Sequence, residues 1–237
     1  AIDKGLDPNK FGQQISFFFN SHNGFLEEIS KFRAARKLWS SIMKNRFGVT
    51  NKKALMCRFH TQTGGSTLTA SQIDNNIVRT TIQAMSAILG GTQSLHTNSK
   101  DEAISLPTNE SAKLALRTQQ IIAYESGIVD HPDPFGGSYV IEEMTDSIII
   151  NTLKIIDHID SLGGAISAIE SGYMQSEIAK SSYDYQKGID SKENIVIGIN
   201  KFSETSNDDP DLLDIDLKEI EKQIKILKKI KSSRNND

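Results

Sequence analysis

The order of secondary structure is clearest in residues 55–98, which read LMCRFHTQTGGSTLTASQIDNNIVRTTIQAMSAILGGTQSLHTN. The segment from Leu55 to Thr61 has the length of a strand and lacks a helical period. From Asp74 to Leu89 the spacing predicts a helix that Asp74 caps and the Gly90-Gly91 pair ends. Residues Thr92 to Thr97 again have strand length. The stretch therefore predicts a strand, a helix and a second strand, and the helix carries on one face Ile77, Val78, Thr81, Ile82, Met85 and Ile88.

The same alternation continues on both sides of this stretch. Gln14 to Phe19 has strand length, and Asn23 to Phe47 has the three-and-four spacing of a long amphipathic helix. A further helix is predicted from Pro107 to Gly127. Three strand-helix units in succession are typical of parallel α/β proteins. We therefore expect an α/β fold in the first half of the chain.

The second half of the chain has a different pattern. After the turn-rich residues 130–137, helices are predicted beside the sheet layer at Tyr139 to Leu162, Ala165 to Ser171 and Met174 to Gln186. Asn194 to Ile199 is predicted to be extended, and Ser203 to Pro210 to be a polar, acidic connector. A last helix is expected from Leu212 to Lys231, with lysines on a solvated face or, as the alternative, in a binding patch. Its inward side would carry Leu217, Ile220, Ile224 and Leu227.

Composition limits the class of protein. The 237 residues are 37% hydrophobic and 24% charged, which is typical of a globular chain that can bury a core. A formal net charge of -3 and a pI near 6.0 give no footprint for nucleic acid, and the apolar runs are too short for a membrane span. Cys57 is the one cysteine, which excludes a disulfide framework and predicts a cytoplasmic location. The chain opens at Ala1 without a basic and apolar leader, and we expect it to be truncated.

Polar side chains cluster where the second and third predicted strands end. Residues 58–66 read RFHTQTGGS, and residues 92–98 read TQSLHTN and are followed by Asp101 and Glu102. Loops after the strands of a parallel barrel form one open face, so two imidazoles, several amides and two carboxylates are expected to converge there. Glycines at 64 and 65 would let a large flat ligand approach the backbone. We expect one concave face, within reach of a shared ligand, to be lined by His60, Gln62, Asn98 and Glu102.

Each of these residues also has an ordinary structural explanation. Histidines at strand ends are more often hydrogen-bonded than ligand-binding, and glutamates are usually only solvated. Thr63 to Ser66 lacks the Walker lysine and the dinucleotide glycine spacing. His60 and His96 lack the spacing of a structural zinc site, so we predict no metal ligand in this chain. The cluster predicts a ligand site without naming a reaction.

Several segments of the sequence together resemble one protein family. They are KFRAARKLW (31–39), RFHTQT (58–63), NNIVRT (75–80), GGTQSLHTN (90–98), DEA (101–103), LPT (106–108), DPFGGSY (133–139), VIGINK (196–201) and LKKIK (227–231). All of them are similar to stretches of the adenosylcobalamin-dependent acyl-CoA mutases, the family of methylmalonyl-CoA mutase. The resemblance covers nearly the whole chain, and motifs of this length and number are highly specific.

The resemblance implies both a fold and a set of binding residues. Residues 1–128 would be the last three strand-helix units of a partial TIM (β/α)8 barrel, and residues 129–237 a helical extension packed on it. Positions that touch acyl-CoA match Gln14, Ser16 and Phe18, although Gln14 stands where relatives usually have an arginine. Catalytic residues stay unassigned, because the family's other strands and its cobalt-binding domain have no counterpart here. Positions that face adenosylcobalamin match His60, Gln62, Gly65, Asn98, Glu102, Ala103 and Leu106.

The resemblance also implies a function. The chain would be part of an adenosylcobalamin-dependent mutase that interconverts methylmalonyl-CoA and succinyl-CoA by radical rearrangement of the carbon skeleton. Phe17 to Asn20 and Arg58 to His60 also resemble the isobutyryl-CoA branch, which is one alternative. A non-catalytic or truncated partner subunit is the other. Other chains would supply the rest of the barrel and the cobalamin-binding domain, so we expect an oligomer, and exposed sheet edges should make the isolated chain self-associate.

Overall fold

The computed structural model describes residues 1–204, 212–213 and 216–235. Its strands are β1 (Phe17–Ser21), β2 (Phe59–Thr63) and β3 (Ser94–His96). Its α-helices are α1 (Pro8–Phe11), α2 (Phe25–Asn45), α3 (Asn75–Leu89), α4 (Asn109–Glu125), α5 (Tyr139–Ser161), α6 (Ala165–Glu170), α7 (Tyr173–Asp190) and α8 (Leu217–Ser233). Short 3-10 helices lie at Ile2–Lys4, Gly12–Gln14, Gly65–Thr67 and Ile128–Asp130. From β1 to α4, strands and helices alternate as the sequence predicts.

The three strands form one parallel sheet in the order β1-β2-β3. The register places Phe18 opposite His60, and it places Gln62 between Asn20 on one side and His96 on the other. Because parallel strands run in the same direction, the loops after all three strands leave from the same edge, which we call the carboxyl edge. The predicted α/β class with a parallel sheet is confirmed.

The two faces of the sheet have different surroundings. On one face Phe59 forms a buried cluster with Phe32 of α2, Ala87 of α3 and Cys57, and Phe19 packs against it. Side chains alternate along a strand, so the intervening residues point to the opposite face. We call that side the open face, and it carries Phe18, Asn20, His60, Gln62, Ser94 and His96.

The helix α5 connects the second half of the chain to the strand-helix units. It packs along α2. Ile141 of α5, Ile29 of α2 and Leu89 at the end of α3 form a second buried cluster. Beside this cluster, Arg33 of α2 pairs with Glu142 of α5 at 2.6 Å. The three helices predicted for residues 139–186 are present as α5, α6 and α7.

The strand β1 begins later than the sequence predicts. Gly12–Gln14 is a 3-10 helix, so Gln14 lies outside the strand. The guanidinium of Arg58 donates to the carbonyls of Gln13 and Ile15. Pairing with β2 starts where the Phe17 N–H donates to the Arg58 carbonyl at 2.8 Å.

The strands β2 and β3 are also shorter than predicted. The Leu55 N–H donates to the Asn51 carbonyl at 3.2 Å and closes a turn, so β2 starts only at Phe59. The Thr92 N–H donates to the Ala87 carbonyl at 3.1 Å and belongs to the end of α3. In both cases a turn uses backbone groups that the predicted strand would need.

The inward face of α3 differs from the face that the apolar spacing indicates. Val78 and Ile82 of the predicted apolar face are 59% and 39% exposed. Asp74 makes no capping hydrogen bond from its side chain, and its carboxylate accepts from Lys100 Nζ at 2.7 Å instead. Asp74 is therefore the N-cap residue of α3, as predicted, but without a capping hydrogen bond from its side chain. The residues that α3 buries to 3% exposure or less are Asn76, Thr80, Gln83, Ala84, Ser86 and Ala87.

The C-terminal part departs furthest from the predictions. The helix α8 is present, but its predicted inward residues are between 44% and 72% exposed, so that orientation is wrong: Leu217, Ile220, Ile224 and Leu227. Within residues 194–199, where an extended segment was predicted, Gly198 and Ile199 lie in a turn, with Gly198 at φ 82, and Ile197 forms an isolated bridge with Lys201. Most of the predicted acidic connector at 203–210 lies outside the described residues. Among the helices that are described, none is long and apolar enough to cross a membrane.

Candidate functional site

The carboxyl edge brings together side chains from β2 and from the loop after β3. Gln62 lies near the end of β2, and Asn98 follows β3 by two residues. The Nε2 of Gln62 donates to Oδ1 of Asn98 at 2.9 Å. Two residues that the sequence predicts to share a face are thus directly bonded across neighbouring strand-helix units.

The position of Asn98 is fixed by Thr63 at the end of β2. The Asn98 N–H donates to Thr63 Oγ1 at 2.9 Å, and Asn98 Nδ2 donates to the Thr63 carbonyl at 3.0 Å. Asn98 is only 2% exposed. A buried amide whose nitrogen and oxygen are both bonded has little freedom to turn, because any other orientation breaks these bonds. Asn98 therefore presents a fixed acceptor to Gln62.

Gly65 lies beside Asn98 and Glu102. A Cβ at this position would be 3.0 Å from Asn98 Nδ2, 3.6 Å from Glu102 Cγ and 3.7 Å from Glu102 Oε1. The carboxylate of Glu102 is exposed. Gly65 therefore packs closely against Asn98 and Glu102, and Asn98 is bonded to Gln62. We call these four residues the edge cluster.

His60 lies two residues before Gln62 on the open face. Its Nδ1 is 2.7 Å from Ser94 Oγ on the neighbouring strand. Its ring lies 5.0 Å, centroid to centroid, from that of Phe18 on the other side. Phe18 is 64% exposed. The residues that were predicted for acyl-CoA and for the cofactor therefore adjoin at the contact between Phe18 and His60.

The other predicted binding residues are exposed. Ala103 and Leu106 lie on the loop after β3, and Leu106 is 59% exposed. Gln14 and Ser16 are exposed ahead of β1, at the opposite end of that strand from the carboxyl edge. The predicted set is thus distributed along the open face and its loops.

Asp101 does not point to the ligand side, although the sequence suggests that it converges there with Glu102. It is 3% exposed and accepts from Ser111 Oγ at 2.6 Å and from the Thr108 N–H at 3.2 Å. Burial by itself would raise the pKa of this carboxyl, but hydrogen bonds from Ser111, Ser99 and Thr108 hold it below its usual value. Asp101 anchors its loop to the start of α4. The one sequence signal for this role is Thr108, which caps α4 by accepting from the Ser111 N–H.

The second imidazole lies beside the edge cluster. His96 and Glu102 line a cleft of about 180 Å³ together with Leu116 and Gln119 of α4. Gln119 Nε2 donates to Thr97 Oγ1 at 3.0 Å, and both residues line this cleft. Within the part of the chain that the structure describes, no group of three or more His, Cys, Asp or Glu residues could hold a metal ion.

Comparisons with known proteins all indicate acyl-CoA mutases. The family model described as methylmalonyl-CoA mutase matches residues 1–237. The large subunit of 2-hydroxyisobutanoyl-CoA mutase from Aquincola tertiaricarbonis is 46% identical over 204 residues, which are 86% of this chain and 36% of that protein. The mitochondrial methylmalonyl-CoA mutase of Bos taurus is 43% identical over 236 residues, which are 99% of this chain and 32% of that protein.

A third relative is similar over almost the same length. The methylmalonyl-CoA mutase large subunit of Porphyromonas gingivalis is 41% identical over 236 residues, which are 99% of this chain and 33% of that protein. The similarity therefore runs along nearly the whole of this chain. The chain itself spans about a third of the length of the curated relatives it matches.

Proposed function

This chain belongs to the methylmalonyl-CoA mutase family, and on that basis we propose that it forms one wall of the cavity of an adenosylcobalamin-dependent acyl-CoA mutase. The observation that carries the proposal is the edge cluster. At the edge of a parallel sheet, next to an open face, Gly65 packs against Asn98 and Glu102, and Asn98 is bonded to Gln62. In α/β barrels this is the edge at which active sites are built.

The barrel itself is part of the proposal. Residues 1–128 would contribute three of its strand-helix units, and residues 129–237 would form a helical extension on the outside. The parallel order β1-β2-β3 and the packing of α2 and α3 on one face support this arrangement. The open face would then point into the barrel, where strands from outside this stretch would cover Phe18 and His60.

The edge cluster fits a large, flat ligand that carries amides and hydroxyl groups. Gly65 lets such a ligand approach the backbone, Gln62 both donates and accepts, and the carboxylate of Glu102 accepts from hydroxyl groups such as those of a ribose. When bound, adenosylcobalamin supplies the radical chemistry that rearranges the acyl group. The residues of this chain orient the cofactor, and the exposed Ala103 and Leu106 help to exclude water from it.

The acyl-CoA would lie along the open face, next to the cofactor. Ser16 is exposed just ahead of β1, and Phe18 of β1 is exposed on the open face and contacts the ring of His60. Gln14 precedes the strand and would bind the CoA portion less strongly than an arginine, because a neutral amide has no charge to pair with a phosphate. The likeness to methylmalonyl-CoA mutases makes methylmalonyl-CoA and succinyl-CoA the first substrates to test.

A branched, uncharged acyl group is the second candidate. One observation favours it: Phe18 presents an apolar ring, 64% exposed, beside His60. A phenyl ring packs well against methyl groups and offers nothing to a carboxylate. The relative from Aquincola tertiaricarbonis is named for such an acyl group and is 46% identical.

The proposal requires further parts and leaves the cellular location as a prediction. Two relatives are named large subunits, which is in keeping with an enzyme of several subunits. The remaining strands and the cobalamin-binding domain would come from outside residues 1–237. Other relatives are named as mitochondrial proteins, so the cytoplasmic location stays an expectation.

The experiment is a conversion assay with the assembled enzyme. Methylmalonyl-CoA and isobutyryl-CoA are supplied separately to the wild type and to Glu102→Ala, with Lys228→Ala on the exposed face of α8 as the control. We expect conversion of one substrate, a loss of at least about tenfold in Glu102→Ala and no change in Lys228→Ala. Conversion of neither substrate, or full activity in Glu102→Ala, would contradict the proposal.

A further inference from the structure

The buried face of α3 is polar. Asn76, Thr80, Gln83 and Ser86 lie along it, and each is at most 3% exposed. Their spacings of four, three and three residues place them on one side of the helix. Burying an amide is unfavourable unless its donors and acceptor are bonded, so amides at such positions need partners. For Asn76 and Gln83 these partners lie in the loops at the carboxyl edge.

Gln83 joins the loops that follow β1 and β2. Its Oε1 accepts from the Gly64 N–H at 2.8 Å, and its Nε2 donates to Asn23 Oδ1 and to Thr67 Oγ1, both at 2.6 Å. Asn23 follows β1, whereas Gly64 and Thr67 follow β2. One buried side chain thus connects two loops, and it holds the residue that precedes Gly65.

Asn76 joins the loops that follow β2 and β3. Its Nδ2 donates to the carbonyls of Thr69 and Lys100, each at 2.8 Å, and its Oδ1 accepts from the Thr69 N–H at 3.1 Å. Lys100 lies midway between Asn98 and Glu102 in the sequence. Loop carbonyls that have left the sheet still need donors when they are buried, and Asn76 provides two at once.

We infer that Asn76 and Gln83 are positioning residues for the edge cluster. They act through the loops and do not touch the ligand. Gln83 sets the position of Gly64 and Gly65 relative to β1. Asn76 sets the distance between the loop after β2 and the loop that carries Glu102. The inference rests on the proposed function, because it takes the edge cluster as the surface that contacts the cofactor.

The first part of the test measures the loop itself. Asn76→Ser is compared with Thr80→Val, because serine is too short to bond both carbonyls, whereas the Thr80 hydroxyl has no partner among the described residues. Hydrogen exchange of the amides in residues 98–106 should become about tenfold faster in Asn76→Ser. Exchange should not change in Thr80→Val. Gln83→Met provides a second variant, read at residues 64–67, if Asn76→Ser does not fold.

The second part measures ligand binding by the assembled enzyme. The affinity for adenosylcobalamin should fall about tenfold in Asn76→Ser, whereas the affinity for acyl-CoA should stay within about twofold. A general loss of structure would lower the affinities for both ligands alike. Equal loss of both affinities, unchanged cofactor affinity or unchanged exchange at 98–106 overturns the inference. If the wild type itself binds no adenosylcobalamin, the proposed function fails, and the exchange result alone decides whether Asn76 holds the loop.

Discussion

Replacing Gly65 by alanine should weaken the proposed cofactor site without unfolding the protein. The added Cβ would lie 3.0 Å from Asn98 Nδ2, so the amide would have to move by a few tenths of an ångström. The backbone does not require glycine here, because Gly65 is not among the residues with positive φ. The perturbation is therefore confined to the contacts of Gly65 with Asn98 and Glu102.

The size of the effect follows from what holds Asn98. Its amide is bonded to Gln62 and to the Thr63 carbonyl, and it cannot shift without weakening one of these bonds. A displaced Asn98 would shift Gln62 relative to the cofactor, and loss of one hydrogen bond to the cofactor costs about 0.5–1.5 kcal/mol, which corresponds to about two- to tenfold in affinity. The exchange of glycine for alanine stabilises the fold by about 0.4–1 kcal/mol through the unfolded state. We expect the free energy of unfolding to change by less than about 1 kcal/mol.

The assay is a visible-spectrum titration of adenosylcobalamin into the assembled Gly65→Ala enzyme, combined with urea unfolding of the same variant. Ser66→Ala is the matched control, because Ser66 is the next residue of the same 3-10 helix and its side chain is exposed. Weaker binding in Gly65→Ala alone, at unchanged stability, is the expected result. Wild-type affinity in Gly65→Ala, or equal weakening in both variants, would refute the reasoning.

Three further measurements test the same geometry. Asn98→Ala should lower the free energy of unfolding by about 1–3 kcal/mol in urea, because the Thr63 carbonyl loses its donor. Asp101 has a lowered pKa, so it stabilises the fold above about pH 4, and this contribution is lost as the pH falls through the lowered pKa. Asp101→Asn should therefore be less stable than the wild type near neutral pH, with a difference that shrinks in acid. Burial raises the pKa of the Cys57 thiol, so a thiol reagent should react with it only after unfolding.

The order of strands and helices could be predicted because apolar periodicity is a local signal. The long helix predicted from Asn23 to Phe47 is present as α2, Phe25–Asn45. The starts of the strands could not be predicted in the same way, because they depend on contacts that are distant in sequence. Ahead of β1, for example, Gln13 accepts a hydrogen bond from Arg58, 45 residues away.

The interior of the site was harder to predict for a related reason. Polar residues are usually expected at the surface, yet α3 buries Asn76 and Gln83, because the loops at the carboxyl edge need donors and acceptors there. Asp101 and Glu102 are adjacent and chemically alike, but only Glu102 is exposed. Which of the two turns inward is decided by Ser111, ten residues further along. That Gln62 and Asn98 lie close together could be predicted from the sequence, since both follow the ends of predicted strands.

The central claim is that this chain supplies one wall of the cofactor cavity. The most direct measurement is a visible-spectrum titration of adenosylcobalamin into the other parts of the enzyme, with and without this chain. We expect weak binding by the chain alone, tight binding by the complete set, and a loss of about tenfold or more when the set contains Gln62→Ala. A complete set that binds the cofactor equally well with and without this chain would contradict the claim.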